Sequence, residues 1–520
     1  MIIQDKVAFL KLRDPTRVTG VIPTAREIDY LKLNGHKLVI VPHRDDESMI
    51  LNSLGFKNPA PILSQYAWPG RFVPMEHQKE TAAFLTKHRK GLVLSDIGTG
   101  KTLSALWAAD WLMKTGAIRK CLVISPLSTL ERVWSDEIYK NLLDRKAVVV
   151  RGTAKKRREI MESDADYYII NHDGWTHTMD SISPQHTGKI DLTIVDEAAV
   201  YRHPQTRRTR TFRHWLSTRP NMRLWLLTGT PTPNAPTDAW PLAKMVGNPS
   251  VDRTFTGFKN RVMVRVSTFK WVPAVDSLRT LEKVLKPCVR YTRDNLADLP
   301  PTTVQTRHVD MTVNQMRLYK DMLKKTIVEL GGGDKITAAN EMAKATKLLQ
   351  ISCGAVYTKN GGVFVTEARA RLQLVRDIID EAGGKVLVFT AYRNTVDLIL
   401  DNIGDIGREA VHGKISANKR AKIFQRFQDP DDPLRVIVAH PQTMAHGLTL
   451  TQASTIVWYC PVWCNEIYTQ ACGRVERTGK IYPTSVVHIE STKLEREIFY
   501  RLNTKQGLQG TLLDTIITNN

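Results

Sequence analysis

The chain has 520 residues, a length that accommodates roughly three or four domains of ordinary size. Apolar residues make up 42% and charged residues 24%, a composition that supports packed cores and excludes a disordered chain. The formal net charge of +22 favours a polyanionic partner such as nucleic acid, although basic surface also serves solubility.

The sequence carries no sign of a membrane protein or a secreted protein. No apolar run approaches the ~20 residues that a membrane-spanning helix needs. The opening residues, Met1–Val7, lack the basic segment and apolar core of a secretory signal. Six cysteines in a chain of this length do not predict a disulfide framework. A reducing, cytoplasmic location and no membrane partner are therefore expected.

Residues 1–70 form a mixed segment without a readable motif, and Trp68-Pro-Gly70 marks a boundary after it. Two series of short apolar runs follow, and each run is succeeded by turn residues and a helical pattern. The first series is Leu92–Leu94, Leu122–Ile124, Tyr168–Ile170, Leu192–Val195 and Leu224–Leu227. The second series is Val386–Phe389, Val436–Val438, Ile456–Trp458 and Val486–Ile489. This repetition predicts two α/β lobes with parallel sheets, which bind ligands beyond the carboxyl ends of their strands.

The segment between the two series has a different pattern. It shows few strand signals and clear helical periodicity, as in Asn314–Leu330 and Ala338–Leu349. The sequence therefore predicts a helical insert between the lobes. The expected domains are an accessory domain, a first lobe, an insert with linker, a second lobe and a tail, at 1–70, 71–246, 247–369, 370–505 and 506–520.

The strongest local signal is a glycine loop between an apolar strand and a helix. It reads Leu92-Val-Leu-Ser-Asp-Ile-Gly98-Thr99-Gly100-Lys101-Thr102. Glycines allow backbone N–H groups to close around phosphates, and the start of the helix adds positive potential. Gly98, Thr99 and Gly100 are expected to cradle the phosphates of ATP. Lys101 is expected to reach the β and γ phosphates, and the Thr102 hydroxyl to ligate Mg²⁺.

Two adjacent carboxylates, Asp196 and Glu197, follow the apolar run Leu192–Val195. Such a pair could simply open a helix at the surface, where acids are favoured. Because it follows the glycine loop at a fitting distance and ends a strand, the catalytic interpretation is preferred. Asp196 is then expected to hold Mg²⁺, and Glu197 to act as the base for the attacking water.

The order of these motifs resembles the Swi/Snf-like branch of the superfamily-two helicase-type ATPases, most of all its compact stand-alone members in phages and bacteria. The resemblance covers residues 71–505. Pro74-Met-Glu-His77-Gln78 resembles the motif whose glutamine, here Gln78, reads adenine. The resemblance implies nucleic-acid contacts at four residues of the first lobe, which are Ser125, Pro126, Asn171 and Thr230.

The second lobe resembles the same family. Thr443-Met-Ala-His446-Gly447 resembles a loop that contacts both phosphate and DNA, which implies nucleic-acid contacts at Thr443 and His446 and a phosphate contact at Gly447. Gln470-Ala-Cys-Gly-Arg474-Val-Glu-Arg477 resembles the arginine motif, and Gln470, Arg474 and Arg477 are assigned to the catalytic set. Two guanidiniums one helical turn apart would share one face of a helix, although a plain basic helix face has the same pattern.

The motifs depart from the family pattern at several positions. Ser95 stands where the first glycine of the loop is usual, and Ala199 where a histidine is common. Val475-Glu476 and Lys480 replace other usual residues in the arginine motif. None of these changes removes an atom that ATP hydrolysis needs, but they leave the details of DNA coupling open.

The resemblance implies two RecA-like lobes that bind ATP and Mg²⁺ and translocate on double-stranded DNA, in the cytoplasm of a bacterium or of a phage-infected host. DNA repair, recombination, replication and remodelling are all compatible processes. One alternative is a true strand-separating helicase on DNA or RNA. A second is a DNA-binding scaffold without hydrolysis, which the intact catalytic residues disfavour. Residues 1–70 could select a protein partner or a DNA structure.

Overall fold

A computed structural model describes residues 1–33, 35–178, 188–233, 235–266, 271–292, 300–331, 338–357, 362–444, 450–476, 480 and 482–502. The chain divides into two compact units. The described part of the first unit ends at Thr292, and that of the second begins at Pro300.

The first unit opens with a small four-stranded antiparallel sheet. Its strands are β1 (Ile2–Gln4), β2 (Val7–Leu12), β3 (Arg26–Leu33) and β4 (His36–Pro42), in the order β1-β2-β4-β3. Three helices accompany the sheet, α1 (Thr16–Thr19), α2 (Asp45–Ser53) and α3 (Ile62–Gln65). The alternating apolar residues of β2 and β4 pack with Val18 and Leu51 in a core of their own. Residues 1–70 thus contain a separate antiparallel module.

The rest of the first unit is built on seven parallel strands. They are β5 (Lys90–Val93), β6 (Lys120–Ser125), β7 (Ala147–Val149), β8 (Tyr167–Asn171), β9 (Ile190–Val195), β10 (Arg223–Leu227) and, after the small hairpin of β11 (Met263–Arg265) and β12 (Trp271–Pro273), β13 (Cys288–Val289). The order in the sheet is β13-β5-β10-β9-β6-β8-β7. All neighbouring pairs are parallel, so the carboxyl ends of the strands meet at one edge.

Helices cover both faces of this sheet. They are α4 (Glu76–Lys87), α5 (Lys101–Lys114), α6 (Asp136–Asn141), α7 (Ala154–Glu162), α8 (His172–Thr178), α9 (Arg207–Ser217), α10 (Ala239–Val246), α11 (Phe255–Val262) and α12 (Ser277–Val284). A π-helix spans Leu130–Ser135, and short 3₁₀ helices span Ala198–Tyr201 and Pro236–Asp238. Successive residues of β5 enter different cores, Leu92 on one face and Val93 on the other. Because side chains on both faces of the sheet are buried, the strands appear in the sequence as continuous apolar runs.

The second unit contains a six-stranded parallel sheet and a two-stranded hairpin. The strands are β14 (Thr302–His308), β15 (Ala355–Tyr357), β16 (Val363–Val365), β17 (Lys385–Phe389), β18 (Arg408–Val411), β19 (Val436–Ala439), β20 (Ala453–Trp458) and β21 (Thr484–Glu490). The order in the sheet is β14-β21-β20-β17-β19-β18, and β15 and β16 form the hairpin. Its helices are α13 (Val313–Gly331), α14 (Ala338–Ser352), α15 (Arg369–Glu381), α16 (Arg393–Asn402), α17 (Ala417–Gln428), α18 (Pro441–Met444) and α19 (Asn465–Cys472).

The predicted fold class is confirmed: two parallel α/β sheets of RecA-like type lie in tandem along the chain. The segment 247–369 has the predicted helices α13 and α14, but it also has strands that the sequence did not suggest. Among these, β13 joins the first sheet and β14 joins the second, each as an edge strand. The division between the units also falls inside this segment. In the described part of the chain, no helix is both long enough and apolar enough to cross a membrane.

Candidate active site

The glycine loop connects the carboxyl end of β5 to the first residue of α5. Gly98 and Gly100 have φ angles of 89° and 77°, in the left-handed region that side chains disfavour. A Cβ on Gly100 would also lie 1.9 Å from Nε2 of Gln78. The backbone turn therefore favours glycine at position 100, and a larger residue there would also displace the side chain of Gln78, the residue expected to read adenine.

Lys101 and Thr102, the first two residues of α5, are both half-buried. The Lys101 ammonium donates to the main-chain oxygens of Ser95 and Asp96, at 2.8 and 2.7 Å. The Thr99 hydroxyl donates to the Asp96 oxygen at 2.9 Å, and the Thr99 oxygen contacts Nε2 of His77 at 2.9 Å. The loop is thus held in a closed turn, with its lysine bonded to the turn's own carbonyl groups.

Ser95, which stands where the family usually has the first glycine of the loop, has a structural explanation. Its side chain is buried, and its hydroxyl oxygen accepts a hydrogen bond of 3.0 Å from the backbone N–H of Tyr291, just beyond β13. The adjacent N–H of Asp96 donates to the Tyr291 oxygen at 3.0 Å. Glycine could not supply the side-chain acceptor, so the serine fastens the phosphate loop to the neighbouring strand segment.

Arg290 and Tyr291 were missed by the sequence analysis because they belong to no motif. The Arg290 guanidinium is buried and lies 3.7 Å from the Asp96 carboxylate. The Tyr291 ring lies 5.5 Å from that of His77, and its hydroxyl donates to Glu80 on α4. Burial, reinforced by Glu80, raises the pKa of the Tyr291 phenol, which therefore stays a neutral donor. These residues connect the phosphate loop to the segment that carries Gln78.

Asp196 and Glu197 lie directly beyond β9, at the same edge of the sheet as the glycine loop. The Asp196 carboxylate accepts hydrogen bonds of 3.0 Å from the Trp134 indole N–H and from the Glu197 backbone N–H. Glu197 has a φ of 50°, an unusual conformation for a residue other than glycine. Such backbone strain is common where a catalytic side chain must be aimed. Trp134 is fully buried in the π-helix, and its indole holds one of the two carboxylate oxygens of Asp196.

The oxygen donors present fit a magnesium ion better than a softer metal. Asp196 offers a carboxylate and Thr102 a hydroxyl, and both residues are half-buried. Mg²⁺ in nucleotide sites keeps several waters and takes one or two protein oxygens besides the phosphates. Among the described residues, no group of three or more His, Cys, Asp or Glu side chains could hold a metal by itself.

The residues expected to contact nucleic acid lie at the same edge of the first sheet. Ser125 and Asn171 are register partners at the ends of β6 and β8. Ser125, Pro126 and Thr230 are buried, and the Ser125 hydroxyl has no hydrogen-bond partner among the described residues. In the turn after β6, Leu127 and Ser128 are exposed, and Leu127 is exposed to 70%. Thr230 follows β10, and its N–H donates to the Thr228 hydroxyl at 3.2 Å.

In the second unit, Thr443 on α18 and Gln470 on α19 lie on two helices that pack together. The Thr443 hydroxyl contacts the oxygens of His440 and Val411, at 2.6 and 3.2 Å. Gln470 is buried and donates to Glu466 at 3.4 Å. These contacts hold both side chains in place within their own unit.

The expectation that Arg474 lies on a helix face is wrong. Helix α19 ends at Cys472, and the next residues form successive turns, in which Arg474 N–H donates to Ala471 and Val475 N–H to Cys472. The Arg474 oxygen accepts a hydrogen bond of 2.8 Å from the Leu450 N–H, before β20. Arg477, His446 and Gly447 lie outside the described residues.

Two other residues that differ from the family pattern, Ala199 and Lys480, have structural roles. Ala199 is fully buried in a 3₁₀ helix beneath the carboxylate pair, in a space that a histidine would not share without repacking. Lys480 is buried and donates to the Thr451 and Ala453 oxygens at the start of β20. Burial lowers the pKa of Lys480 to about 8. Both residues therefore stabilise their own unit.

Comparison with known proteins identifies the family of the chain. The family described as SNF2-related domain matches residues 77–355, more than half of the chain, and the helicase conserved C-terminal domain matches residues 370–479. The chain therefore belongs to the SNF2-related family of helicase-type ATPases.

Several relatives show the extent of the similarity. Putative protein p41 of Acyrthosiphon pisum secondary endosymbiont phage 1 is 26% identical, over 86% of this chain and 99% of that protein. The chicken (Gallus gallus) DNA repair and recombination protein RAD54-like is 25% identical, over 87% of this chain and 68% of that protein. An uncharacterized ATP-dependent helicase of Mycoplasma genitalium is 24% identical, and the match spans only 40% of its length.

A solved structure is also similar. The Sulfolobus solfataricus SWI2/SNF2 ATPase core in complex with dsDNA is 20% identical, with a TM-score of 0.40, over 86% of this chain and 94% of that chain.

Proposed function

We propose that this chain is a DNA-dependent ATPase that uses ATP hydrolysis to translocate along double-stranded DNA. The observation that carries the proposal is the meeting of the glycine loop and the Asp196-Glu197 pair at one edge of a parallel sheet. DNA as the track is supported by the net charge of +22 and by the named role of the chicken relative in DNA repair and recombination. Compatible processes are repair, recombination, replication and remodelling.

The first unit would bind ATP through its described residues. Gln78 would read adenine, and Gly98, Thr99 and Gly100 would surround the phosphates with backbone N–H groups. The Lys101 ammonium would exchange its bonds to the loop carbonyls for bonds to phosphate oxygens. Thr102 and Asp196 would hold Mg²⁺, which when bound neutralises phosphate charge.

Glu197 would act as the general base. It would accept a proton from the attacking water as the water oxygen bonds to the γ-phosphorus. The bond from the γ-phosphorus to the β–γ bridging oxygen breaks, and the products are ADP and inorganic phosphate. Trp134 would keep Asp196 in position during this step.

The remaining assignments rest on the family resemblance. Arg474 and Arg477 would stabilise charge on the γ-phosphate as arginine fingers, with Gln470 in the same catalytic set and Gly447 near phosphate. Six residues would contact the DNA backbone, which are Ser125, Pro126, Asn171, Thr230, Thr443 and His446. Residues 1–70 would select a partner or a DNA structure.

The test is a phosphate-release assay with single-stranded DNA, duplex DNA, forked DNA and RNA, combined with nucleotide binding. Wild type is expected to be stimulated most by duplex DNA. Lys101→Ala should lose hydrolysis and weaken ATP binding. Glu197→Gln should bind ATP normally and hydrolyse it about 10²–10⁴-fold more slowly, because only the base is removed.

Arg474→Ala provides a different signature. It should retain nucleotide binding and reduce DNA-stimulated turnover on the order of 10³-fold. A lack of stimulation of wild type by any nucleic acid would refute the proposed function. Near-normal hydrolysis by Glu197→Gln would refute the assignment of the base.

A further inference from the structure

Two basic clusters that are separate in the sequence lie on two helices of the first unit that both contact a third helix. Helix α7 carries Lys155-Lys156-Arg157-Arg158, and helix α9 carries Arg207, Arg208, Arg210 and Arg213 without any acidic residue. Both helices pack against α8. Either cluster alone could be an ordinary solvated helix face, but the fold brings them together on one surface.

Specific contacts place the clusters around α8. The Arg157 guanidinium lies 3.4 Å from the main-chain oxygen of Gly174, and Arg208 forms an ion pair with Asp173. Helix α8 begins at His172, directly after Asn171. The basic surface is therefore continuous with the edge of the sheet where nucleic-acid contacts are proposed.

The charge of this surface is only partly compensated within the protein, since α7 carries two acids, Glu159 and Glu162, against four cations and α9 carries none. Lys155, Lys156, Arg158, Arg207 and Arg210 are exposed, and none of them forms an ion pair with a described residue. The positive end of the α9 dipole disfavours Arg207 and Arg208 in its first turn. The arrangement costs stability in the free protein, and a polyanion bound there would reverse that cost.

The surface also has a suitable shape. A cavity of about 520 Å³ lies between α8, α9 and the 3₁₀ helix before α9. Its lining includes Arg202, His203, Arg207, Arg208 and His177, and its one acid, Asp173, is paired with Arg208. A concave basic surface of this kind suits phosphodiester groups better than a flat or apolar partner.

We infer that α7, α8 and α9 form an additional binding surface for the phosphate backbone of a nucleic acid. The inference rests on the proposed function, and it adds residues that no motif assigns. The surface would bind the backbone independently of sequence. Each cation that neutralises a phosphate releases counterions and adds to the salt dependence of binding.

The test measures the affinity for a mixed-sequence DNA duplex as a function of salt concentration. The variants are Lys155→Gln with Lys156→Gln, Arg207→Gln with Arg210→Gln, and all four together. The slope of log affinity against log salt is negative, and each double variant is expected to make it shallower by about 2, and the fourfold variant by about 4. ATP hydrolysis without DNA should be unchanged, because these residues do not touch the nucleotide site. The DNA concentration for half-maximal stimulation should rise.

The matched control is Arg279→Gln with Lys283→Gln, which removes two exposed cations from α12 in the same unit. It should change the slope much less than either double variant. Should wild type bind duplex DNA while the α7 and α9 variants keep its slope, the inference fails and the proposed function stands. Should wild type neither bind DNA nor respond to it, both fail.

Discussion

Trp134 joins two parts of the first unit that the sequence keeps apart. Its indole N–H donates to Asp196, and its backbone N–H donates to the Thr129 oxygen at 3.1 Å. Thr129 in turn bonds the Pro126 oxygen through its N–H and its hydroxyl, at 3.0 and 2.9 Å. A series of hydrogen bonds therefore connects Pro126, in the turn proposed to face DNA, to Asp196, the proposed magnesium ligand. The π-helix that carries Trp134 is a form often found at functional sites.

Trp134→Phe is expected to impair hydrolysis while the fold is retained. The change removes one hydrogen bond to a carboxylate, an interaction worth about 1.5–3 kcal/mol, so the Mg²⁺ concentration for half-maximal turnover should rise about tenfold or more. Trp225→Phe is the matched control, because this buried indole bonds the His88 oxygen instead. An unchanged Mg²⁺ requirement and turnover in Trp134→Phe would show that Asp196 does not depend on the hydrogen bond from Trp134.

At the scale of elements, the N-terminal module is fastened to the helix that begins at the glycine loop. Asp45, in the first turn of α2, accepts a hydrogen bond of 2.7 Å from the indole N–H of Trp111 on α5. Both side chains are buried, and the second oxygen of Asp45 has no hydrogen-bond partner among the described residues. Burial raises the pKa of Asp45 to about 6, against the hydrogen bond from Trp111, which lowers it.

This contact predicts a pH dependence of folding stability. Between about pH 4 and 6 the folded chain holds a proton on Asp45 that the unfolded chain releases, so stability falls as the pH rises through this window. Asp45→Asn keeps an oxygen acceptor for Trp111 and removes the buried charge. At pH values above 6 the variant should therefore have a free energy of unfolding roughly 3 kcal/mol higher than wild type, and a higher melting temperature. Near pH 4 the two proteins should differ little.

Thermal unfolding from pH 4 to 8 measures this difference. Asp46→Asn is the control, because its side chain is the exposed neighbour on the same helix. An Asp45→Asn variant whose advantage over wild type does not change with pH would contradict a buried, proton-sensitive contact.

At the scale of the whole molecule, the proposed motor is expected to move on duplex DNA without separating its strands. On a duplex that carries a third strand, ATP hydrolysis should displace that third strand, and Glu197→Gln should not displace it. A forked duplex should release little single strand under the same conditions. Efficient strand release from the fork, with no displacement of the third strand, would favour the strand-separating alternative.

Much of the nucleotide-binding architecture was predictable from sequence because its determinants are local. An apolar run, a turn with two left-handed glycines and a following helix specify the phosphate loop within eleven residues, Leu92–Thr102. Asp196 and Glu197 directly follow a run of buried residues, so their place at the end of a strand needs no distant information. The carboxyl ends of parallel strands share one edge, and this rule brings the two motifs to the same side of the sheet.

Only the tertiary structure decided which distant residues meet. The bonds from Ser95 to Tyr291 and from Trp134 to Asp196 depend on strand order and side-chain packing, which no local pattern encodes. The helices that carry the two basic clusters both contact α8 for the same reason, since helix packing sets their distance. The helix that the spacing suggested for Arg474 ends at Cys472, and the Arg474 oxygen bonds the Leu450 N–H instead. Local chemistry therefore determined the motifs of this protein, and long-range packing determined how they are braced and surrounded.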